Sequence, residues 1–266
     1  MHDIDGHVHS PYCPHGSDDR MAAYCEEAIK KGTKQLTFTE HAPLPPTFTD
    51  PTPEQDSAMP IHDVSDYFST IKQLKKEYAG SLRILTGMEV DFIAGYEAET
   101  RDLLSEFGPH LDDSILSVHF LQTDSAYTCM DFSPDTFASL ANKLGSVDAV
   151  YKLYYQTVFR SLRANLGKYK PKRIGHMTLC RKYQRRYPAS HFFEQEWMDI
   201  LNEVQAQGLQ LDYNGAGMKK PDCLETYPPL PIARVAKKMG IPLIYGSDAH
   251  TVSGLQSGQA ALLPSD

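Results

Sequence analysis

The sequence lacks several features that would each assign it to a large class of proteins. No stretch approaches the roughly 18 uninterrupted apolar residues of a membrane span. Its 26 basic residues are outnumbered by 34 acidic ones, and the formal net charge of −8 argues against a nucleic-acid protein that relies on a broadly basic surface. The N-terminus has neither the basic nor the apolar segment of a signal peptide. We therefore expect no membrane and no nucleic-acid partner.

Cysteine is also scarce: the chain has five cysteines, an odd number, and they are scattered along the sequence. A disulfide framework would need an even set in a secreted context, so these residues indicate reduced thiols and a cytoplasmic protein. They are Cys13, Cys25, Cys129, Cys180 and Cys223.

What the sequence does contain is a regular alternation of predicted strands and helices, about seven times over 266 residues. Such alternation predicts a parallel sheet with helices packed outside it, and the length suits a closed or nearly closed α/β barrel. A helix is expected from about residue 19, capped near residues 17–18. A strand is expected over 114–120, followed by a polar and aromatic segment. The six prolines of residues 42–60 predict a long loop.

The 11 histidines are the unusual quantity, and two pairs of metal-binding residue types stand at opposite ends of the chain. His7 and His9 lie in a short predicted strand, where alternate side chains share a face and could bind one metal ion. Near the other terminus, the apolar run 241–245 leads to Asp248 and His250 in the same spacing. Two such pairs suggest a site that is assembled by the whole fold.

Further candidate ligands also follow predicted strands. In α/β barrels the functional residues sit at the carboxyl ends of the strands. The candidates there are His7, His9, His41, Glu89, His119, His176, Asp248 and His250. This placement predicts one polynuclear metal site.

Four short motifs carry a resemblance to the polymerase and histidinol phosphatase (PHP) superfamily of metal-dependent phosphoesterases. They are Asp5-Gly6-His7-Val8-His9, Thr39-Glu40-His41, Ser117-Val118-His119 and Gly246-Ser247-Asp248-Ala249-His250, and Glu89 and His176 complete the pattern. Within the superfamily the chain is most similar to the monofunctional histidinol-phosphate phosphatases.

The resemblance implies a distorted (β/α)7 barrel that forms a single catalytic domain over residues 1–266. It implies hydrolysis of L-histidinol phosphate to L-histidinol and phosphate, in histidine biosynthesis, by in-line attack of a metal-bridging hydroxide. It also implies three metal ions. The first would be held by His7, His9, Glu89 and Asp248, the second by Glu89, His119 and His176, and the third by His15, His41 and His250.

The chemistry of these ligands supports the same set. Imidazole and carboxylate together suit zinc, iron or manganese. A bridging carboxylate lets two cations clamp the attacking and leaving oxygens of a displacement. Asp248 and His250 are the candidates for moving protons, including the proton that the leaving alkoxide needs.

A small phosphomonoester substrate would need further contacts from the protein. Arginine matches phosphate in a bidentate way, and Arg160 is the candidate, in competition with Arg163, Arg181 and Arg186. The cationic amine of histidinol would be received by Asp91 or Glu54. His41 is expected at the substrate as well as at the metal.

Three other functions are compatible with parts of the pattern. A PHP-type nuclease or nucleotide phosphoesterase would have the same metal site. A metal-dependent amidohydrolase would share the His-x-His pair and the late aspartate, but no lysine matches the one that such enzymes typically use. A non-enzymatic metal-buffering module is the third. The oligomeric state stays open.

Overall fold

A seven-stranded parallel sheet organises residues 3–263, the part of the chain that this computed structural model describes. The strands of the described chain are β1 (Ile4–Val8), β2 (Gln35–His41), β3 (Arg83–Asp91), β4 (Ile115–Ser117), β5 (Phe120–Thr123), β6 (Ala126–Cys129), β7 (Arg173–Ile174), β8 (Gln210–Asn214) and β9 (Leu243–Gly246). The sheet has the order β1-β2-β3-β4-β7-β8-β9, and every neighbouring pair in it is parallel. Strands β5 and β6 pair separately.

The sheet curls until its two edge strands meet. Val8 bridges Ala249, the His9 amide donates to the Ala249 carbonyl at 3.0 Å, and the Asp248 amide donates to the His7 carbonyl at 2.8 Å. The predicted (β/α)7 architecture in one domain is confirmed as a nearly closed barrel. The predicted domain limits, residues 1 and 266, lie outside the described residues.

Seven helices connect the strands of the described chain. They are α1 (Met21–Lys30), α2 (Val64–Glu77), α3 (Glu97–Phe107), α4 (Pro134–Leu144), α5 (Val147–Arg163), α6 (Glu194–Ala206) and α7 (Leu230–Lys238). Ser133 and Ser146 cap α4 and α5 by accepting hydrogen bonds from Thr136 and Ala149 amides. No helix among residues 3–263 is long and apolar enough to cross a membrane.

The predicted start of the first helix is wrong by about two residues. The helix begins at Met21, and the residue before it, Arg20, makes no capping hydrogen bond with its side chain. Ser17 and Asp19 instead bind the C-terminal segment, because the Ser17 amide donates to the His250 carbonyl and Asp19 Oδ2 accepts from the Val252 amide at 2.8 Å.

The predicted strand over 114–120 is right only for Ile115–Ser117, because the chain leaves the barrel after Ser117. Residues from Phe120 onward form the antiparallel hairpin β5–β6, largely within the segment that was expected to be polar and aromatic. Its two-residue turn contains Asp124 with φ of +57°, a conformation that two-residue hairpin turns require. The break in the sheet frees His119 to face the carboxyl end of the barrel.

Two glycines allow close approaches inside the barrel. A Cβ on Gly6 would lie 2.1 Å from Arg173 Nη1, and a Cβ on Gly246 would lie 2.4 Å from the Cβ of His7. The missing side chain at Gly6 leaves room for the Arg173 guanidinium, which is 1 % exposed and pairs with Asp113 Oδ2 at 2.6 Å. The missing side chain at Gly246 lets His7 turn toward the carboxyl end of the sheet.

Candidate metal centre

The carboxyl ends of the barrel strands bring eight of the nine predicted ligands into one group, called here the donor cluster. Three of its members lie on strands, since His7 is in β1, Glu89 is in β3 and His41 is the last residue of β2. The others stand just beyond β1, β4, β7 and β9. The cluster consists of His7, His9, His41, Glu89, His119, His176, Asp248 and His250.

Glu89 is at the centre of the donor cluster, with its side chain 1 % exposed. Its Oε2 lies 3.3 Å from His7 Nε2 and 3.3 Å from His41 Nδ1. Its Oε1 lies 2.9 Å from His176 Nε2 and accepts a hydrogen bond from the Ser117 hydroxyl at 2.6 Å. The two oxygens therefore face different histidines, which is the arrangement that a bridging carboxylate needs.

The electrostatics of the cluster favour cations. Burial would raise the pKa of Glu89, but the positive field of His7 and His41 and the hydrogen bond from His176 hold it well below its usual range. Burial would lower the pKa of His7, but Asp212, Glu89 and Asp248 raise it well above the ordinary value. Glu89 is thus held ionised and positive charge is stabilised on His7, whereas burial and the field of His9 lower the pKa of His41 and of His250.

The two ends of the chain meet at Asp248. Asp248 Oδ1 lies 3.2 Å from His9 Nε2 and 3.7 Å from His7 Nε2, and the two Nε2 atoms are 3.2 Å apart. The His250 ring stacks on His9 with centroids 3.9 Å apart. Asp248 has φ of +53°, and its Oδ2 accepts from Asn214 Nδ2 at 3.2 Å.

A second layer of carboxylates orients three of the histidines. Asp212 Oδ2 contacts His7 Nδ1 at 2.9 Å, Glu40 Oε1 contacts His9 Nδ1 at 3.2 Å, and Asp91 Oδ1 contacts His119 Nδ1 at 2.8 Å. A carboxylate on one ring nitrogen fixes the tautomer and leaves the other nitrogen free for a metal. Asp91, which was predicted to receive the substrate amine, contacts His119 and also lines the cavity described below.

The donors fit divalent metal ions. His7, His9 and Glu89 form one group whose ligand atoms all lie within 4.8 Å of one another, and Glu89, His119 and His176 form another. Two further groups are His41 with Asp91 and His119, and His9 with Cys13, His41 and His250. Nδ1 of His41 and of His176 are buried without a hydrogen-bond partner among the described residues. Nitrogen and carboxylate donors of this kind suit zinc, iron or manganese.

His15, the ninth predicted ligand, lies at the edge of the donor cluster. Its ring centroid is 5.2 Å from that of His41 and 5.2 Å from that of His250. Its Nδ1 contacts the backbone carbonyl of Asp56 at 2.8 Å, so that the 42–60 loop holds the ring from outside.

A cavity of about 560 Å³ opens over the donor cluster. Its wall includes Asp56 from the 42–60 loop and Asp131 and Phe132 from beyond the hairpin. The basic side chains that line it, among residues 3–263, are Lys182, Lys219 and Lys220. Lys182 is the least exposed of them, and its ammonium donates to Asp131 Oδ2 at 2.9 Å and to the Asp131 carbonyl at 2.7 Å.

The predicted arginines do not line this cavity within the described chain. The Arg160 side chain is 57 % exposed and lies 3.8 Å from Glu97 on the outside of the barrel, because its position on α5 faces solvent. Arg181 pairs with Glu225, and Arg186 lies near Asp135. Glu54 is exposed and is not part of the cavity wall either. The structure therefore does not bring Arg160 or Glu54 to the site.

Sequence reasoning missed the contributions of Asp212, Asp131 and Lys182. Asp212 had a signal, since an acid between Leu211 and Tyr213 in a buried strand must find a partner inside the barrel. Lys182 had only the basic run 181–186, whose members face in different directions in the structure.

Comparison with known proteins agrees with this geometry. The PHP domain family matches residues 5–216, and the chain belongs to that family. It is 47 % identical over 265 residues to the histidinol-phosphatase of Bacillus subtilis, and the match covers 99 % of both chains.

Two solved structures are also similar. The crystal structure of HisK from Listeria monocytogenes, provisionally named a histidinol phosphatase, is 36 % identical with a TM-score of 0.94, covering 98 % of this chain and 100 % of that one. The histidinol phosphate phosphatase of Lactococcus lactis, which was crystallised with zinc, L-histidinol and phosphate, has a TM-score of 0.72. It is 19 % identical, covers 94 % of this chain and 86 % of its own, and shows the shared fold.

Proposed function

We propose that this chain is a metal-dependent phosphomonoesterase that hydrolyses L-histidinol phosphate to L-histidinol and phosphate, in histidine biosynthesis. The observation that carries the proposal is the donor cluster around Glu89, which opens into a cavity large enough for a small ester. The full-length similarity to a histidinol-phosphatase supports this substrate. The five cysteines are all free, which supports a cytoplasmic location.

We further propose that the cluster holds three divalent ions, of zinc, iron or manganese. His7, His9, Glu89 and Asp248 would hold the first, and Glu89, His119 and His176 the second. His15, His41 and His250 would hold the third. Bound there, the ions supply a nucleophile at neutral pH and neutralise charge on the phosphoryl oxygens.

The protein's own groups then place the ester and move one proton. Hydrolysis forms a bond between phosphorus and a water oxygen and breaks the bond between phosphorus and the histidinol oxygen. The leaving oxygen must gain a proton, and we assign its delivery to His250, whose side chain is 30 % exposed beside Asp248 at the cavity. Burial and the field of His9 lower the pKa of that imidazole to about 3, and Asp248, 3.7 Å away, opposes this shift.

We assign the phosphate contact to Lys182 in place of Arg160. Two of its three ammonium donors are used by Asp131, and the third remains for a phosphoryl oxygen. His41, at the cavity wall beside Glu89, is placed to contact the same phosphoryl group. For the substrate amine we propose Asp56, a carboxylate in the cavity wall two residues from the predicted Glu54.

The test compares phosphate release from L-histidinol phosphate with release from a 3′,5′-bisphosphonucleotide, using the same metal-loaded protein. We expect kcat/KM for histidinol phosphate to be higher by at least about a hundredfold, since the acidic chain offers few cations to a polyanion. Equal or faster hydrolysis of the nucleotide would identify a PHP-type nucleotide phosphoesterase instead.

A further inference from the structure

One thiol lies within the reach of the proposed metal ions. The Sγ atom of Cys13 and one ligand atom each of His9, His41 and His250 all lie within 4.8 Å of one another. Cys13 is 4 % exposed, so this sulfur is part of the wall behind the histidines and not a surface thiol. We infer that Cys13 is a thiolate ligand of the metal ion that His41 and His250 hold.

The backbone around Cys13 is fixed in place. The Cys13 amide donates to the Ser10 carbonyl at 3.0 Å, and the Gly16 amide donates to the Cys13 carbonyl at 3.0 Å. Ser10 is itself anchored, because its amide donates to Glu40 Oε2 at 2.9 Å. The same glutamate orients His9, so one acid positions both the turn that carries Cys13 and a histidine of the cluster.

Gly16 makes the turn tight. A Cβ at that position would lie 3.1 Å from Cys13 Cβ and 3.3 Å from the Cys13 carbonyl oxygen. The turn is therefore too tight for a side chain at residue 16.

A second observation indicates that a cation belongs at this group. His41 is buried, and its Nδ1, 3.3 Å from Glu89 Oε2, makes no hydrogen bond among residues 3–263. A buried nitrogen without a partner is unfavourable unless something else binds it. The contact of His15 Nδ1 with the Asp56 carbonyl leaves its Nε2 for the same ion, so Cys13 would join His15, His41 and His250 as a fourth ligand.

A thiolate changes which metal the site prefers. Sulfur with two or three imidazoles is a soft, tetrahedral donor set that selects zinc over manganese or magnesium. On coordination the sulfur–metal bond forms and the thiol proton is released to solvent. The inference shares one requirement with the proposed function, a cation bound in the donor cluster. It does not depend on which ester is hydrolysed.

The experiment is a cobalt(II) titration of the full-length protein after chelator treatment, followed by absorption spectroscopy. Thiolate coordination gives an intense near-ultraviolet charge-transfer band, whereas imidazole and carboxylate ligands give only weak visible bands. We expect the wild-type protein to show both kinds of band. Cys13→Ser should lose the charge-transfer band and keep the visible bands.

Cys129→Ser is the matched control, because Cys129 lines the cavity and its Sγ donates to Asp131. It should retain the charge-transfer band. A band that persists in Cys13→Ser, or that disappears in Cys129→Ser, would overturn the inference. Visible bands without a charge-transfer band in the wild-type protein would also overturn it, whether or not the variant folds, and would leave the phosphatase proposal standing. The absence of every cobalt band would contradict both.

Discussion

Three histidines of the donor cluster each contact a buried carboxylate through Nδ1 while Nε2 faces the other ligands. These pairs are His7 with Asp212, His9 with Glu40 and His119 with Asp91. Each imidazole is therefore held in one orientation before any cation binds. At the scale of single residues, the site's properties depend as much on these acids as on the ligands themselves.

Asp212→Asn tests this layer. Loss of the negative charge removes the partner that fixes the His7 tautomer, and such changes typically weaken metal binding about 10–100-fold. We expect that increase in Kd for zinc in a titration against a competing chelator. Asp199→Asn, on the exposed face of α6, is the control and should leave the Kd unchanged. Equal affinity in the two variants would show that Asp212 does not support the site.

Lys182→Met tests the phosphate contact. The change removes a cation and leaves Asp131, whose pKa the lysine holds well below its usual range despite burial, as an uncompensated negative charge in the cavity wall. We expect KM for the phosphomonoester to rise about tenfold, the loss of one charge-assisted hydrogen bond. Lys152→Met, on the solvent side of α5, should keep the wild-type KM. An unchanged KM in the Lys182 variant would show that another residue contacts the phosphate.

The ligands could be predicted from the sequence because each of the eight cluster residues lies near or just beyond the carboxyl end of a strand, and barrel strands end at a common rim. The supporting residues could not. Asp212 contacts His7 across 205 positions of the chain, and the pairing depends on how far the sheet curls. Arg160 was predicted to contact phosphate because of its charge. Which side of α5 it lies on depends on how the helix packs against the barrel, and the neighbouring sequence does not show this.

At the scale of elements, the 42–60 loop is closed by one acid. Asp50 accepts hydrogen bonds from the Thr52 amide at 2.9 Å, the Thr52 hydroxyl at 2.8 Å, and the Ser57 amide and hydroxyl at 2.9 Å each. The prolines predicted a loop, but this closure depends on a 9 % exposed side chain that any sequence pattern would place in solvent. The closed loop presents the Asp56 carbonyl to His15.

Asp50→Ala should open this loop. Hydrogen bonds to charged groups contribute about 1.5–3 kcal/mol each, which corresponds to about ten- to hundredfold faster hydrogen exchange at the Ser57 amide. Mass spectrometry of exchanged peptides from residues 50–60 measures it. Exchange in α6 is the internal reference. Unchanged exchange across 50–60 would mean that the prolines alone keep the loop closed.

The hairpin β5–β6 shows why element boundaries escaped prediction. Residues 114–120 have the apolar character of one continuous strand, yet the sheet ends at Ser117 and the chain turns outward so that His119 can face Glu89. Asp124, in the two-residue turn, was the local signal for the hairpin. The position of His119 at the rim of the barrel, for which the strand must end early, is visible only in the three-dimensional structure.

At the scale of the whole molecule, the barrel encloses the guanidinium of Arg173. Arg173 is 1 % exposed, and its one hydrogen-bond partner among the described residues is Asp113, with Nε and Nη1 unpaired in that part of the chain. The ion pair thus neutralises a guanidinium that the strands enclose. The alternation of strands and helices predicted the barrel around it correctly, whereas nothing local indicated that Arg173 faces inward.

Asp113→Ala should destabilise the fold. Removing one partner of a buried ion pair leaves an uncompensated charge and costs about 3–5 kcal/mol in free energy of unfolding. We expect a lower urea midpoint at an unchanged slope, read by circular dichroism. Asp102→Ala, on the exposed surface of α3, is the comparison and should shift the midpoint little. A midpoint as high in Asp113→Ala as in that variant would show that the guanidinium is solvated without its partner.

The central claim is that one cluster, drawn from both ends of the chain, binds the cations on which ester hydrolysis depends. The most direct measurement is a titration of chelator-treated protein with zinc or manganese, in which bound metal and phosphate release from L-histidinol phosphate are recorded in the same samples. We predict negligible release without metal and activity that rises with occupancy to a plateau at about three ions per chain. Full activity in protein shown to contain no metal would contradict the account.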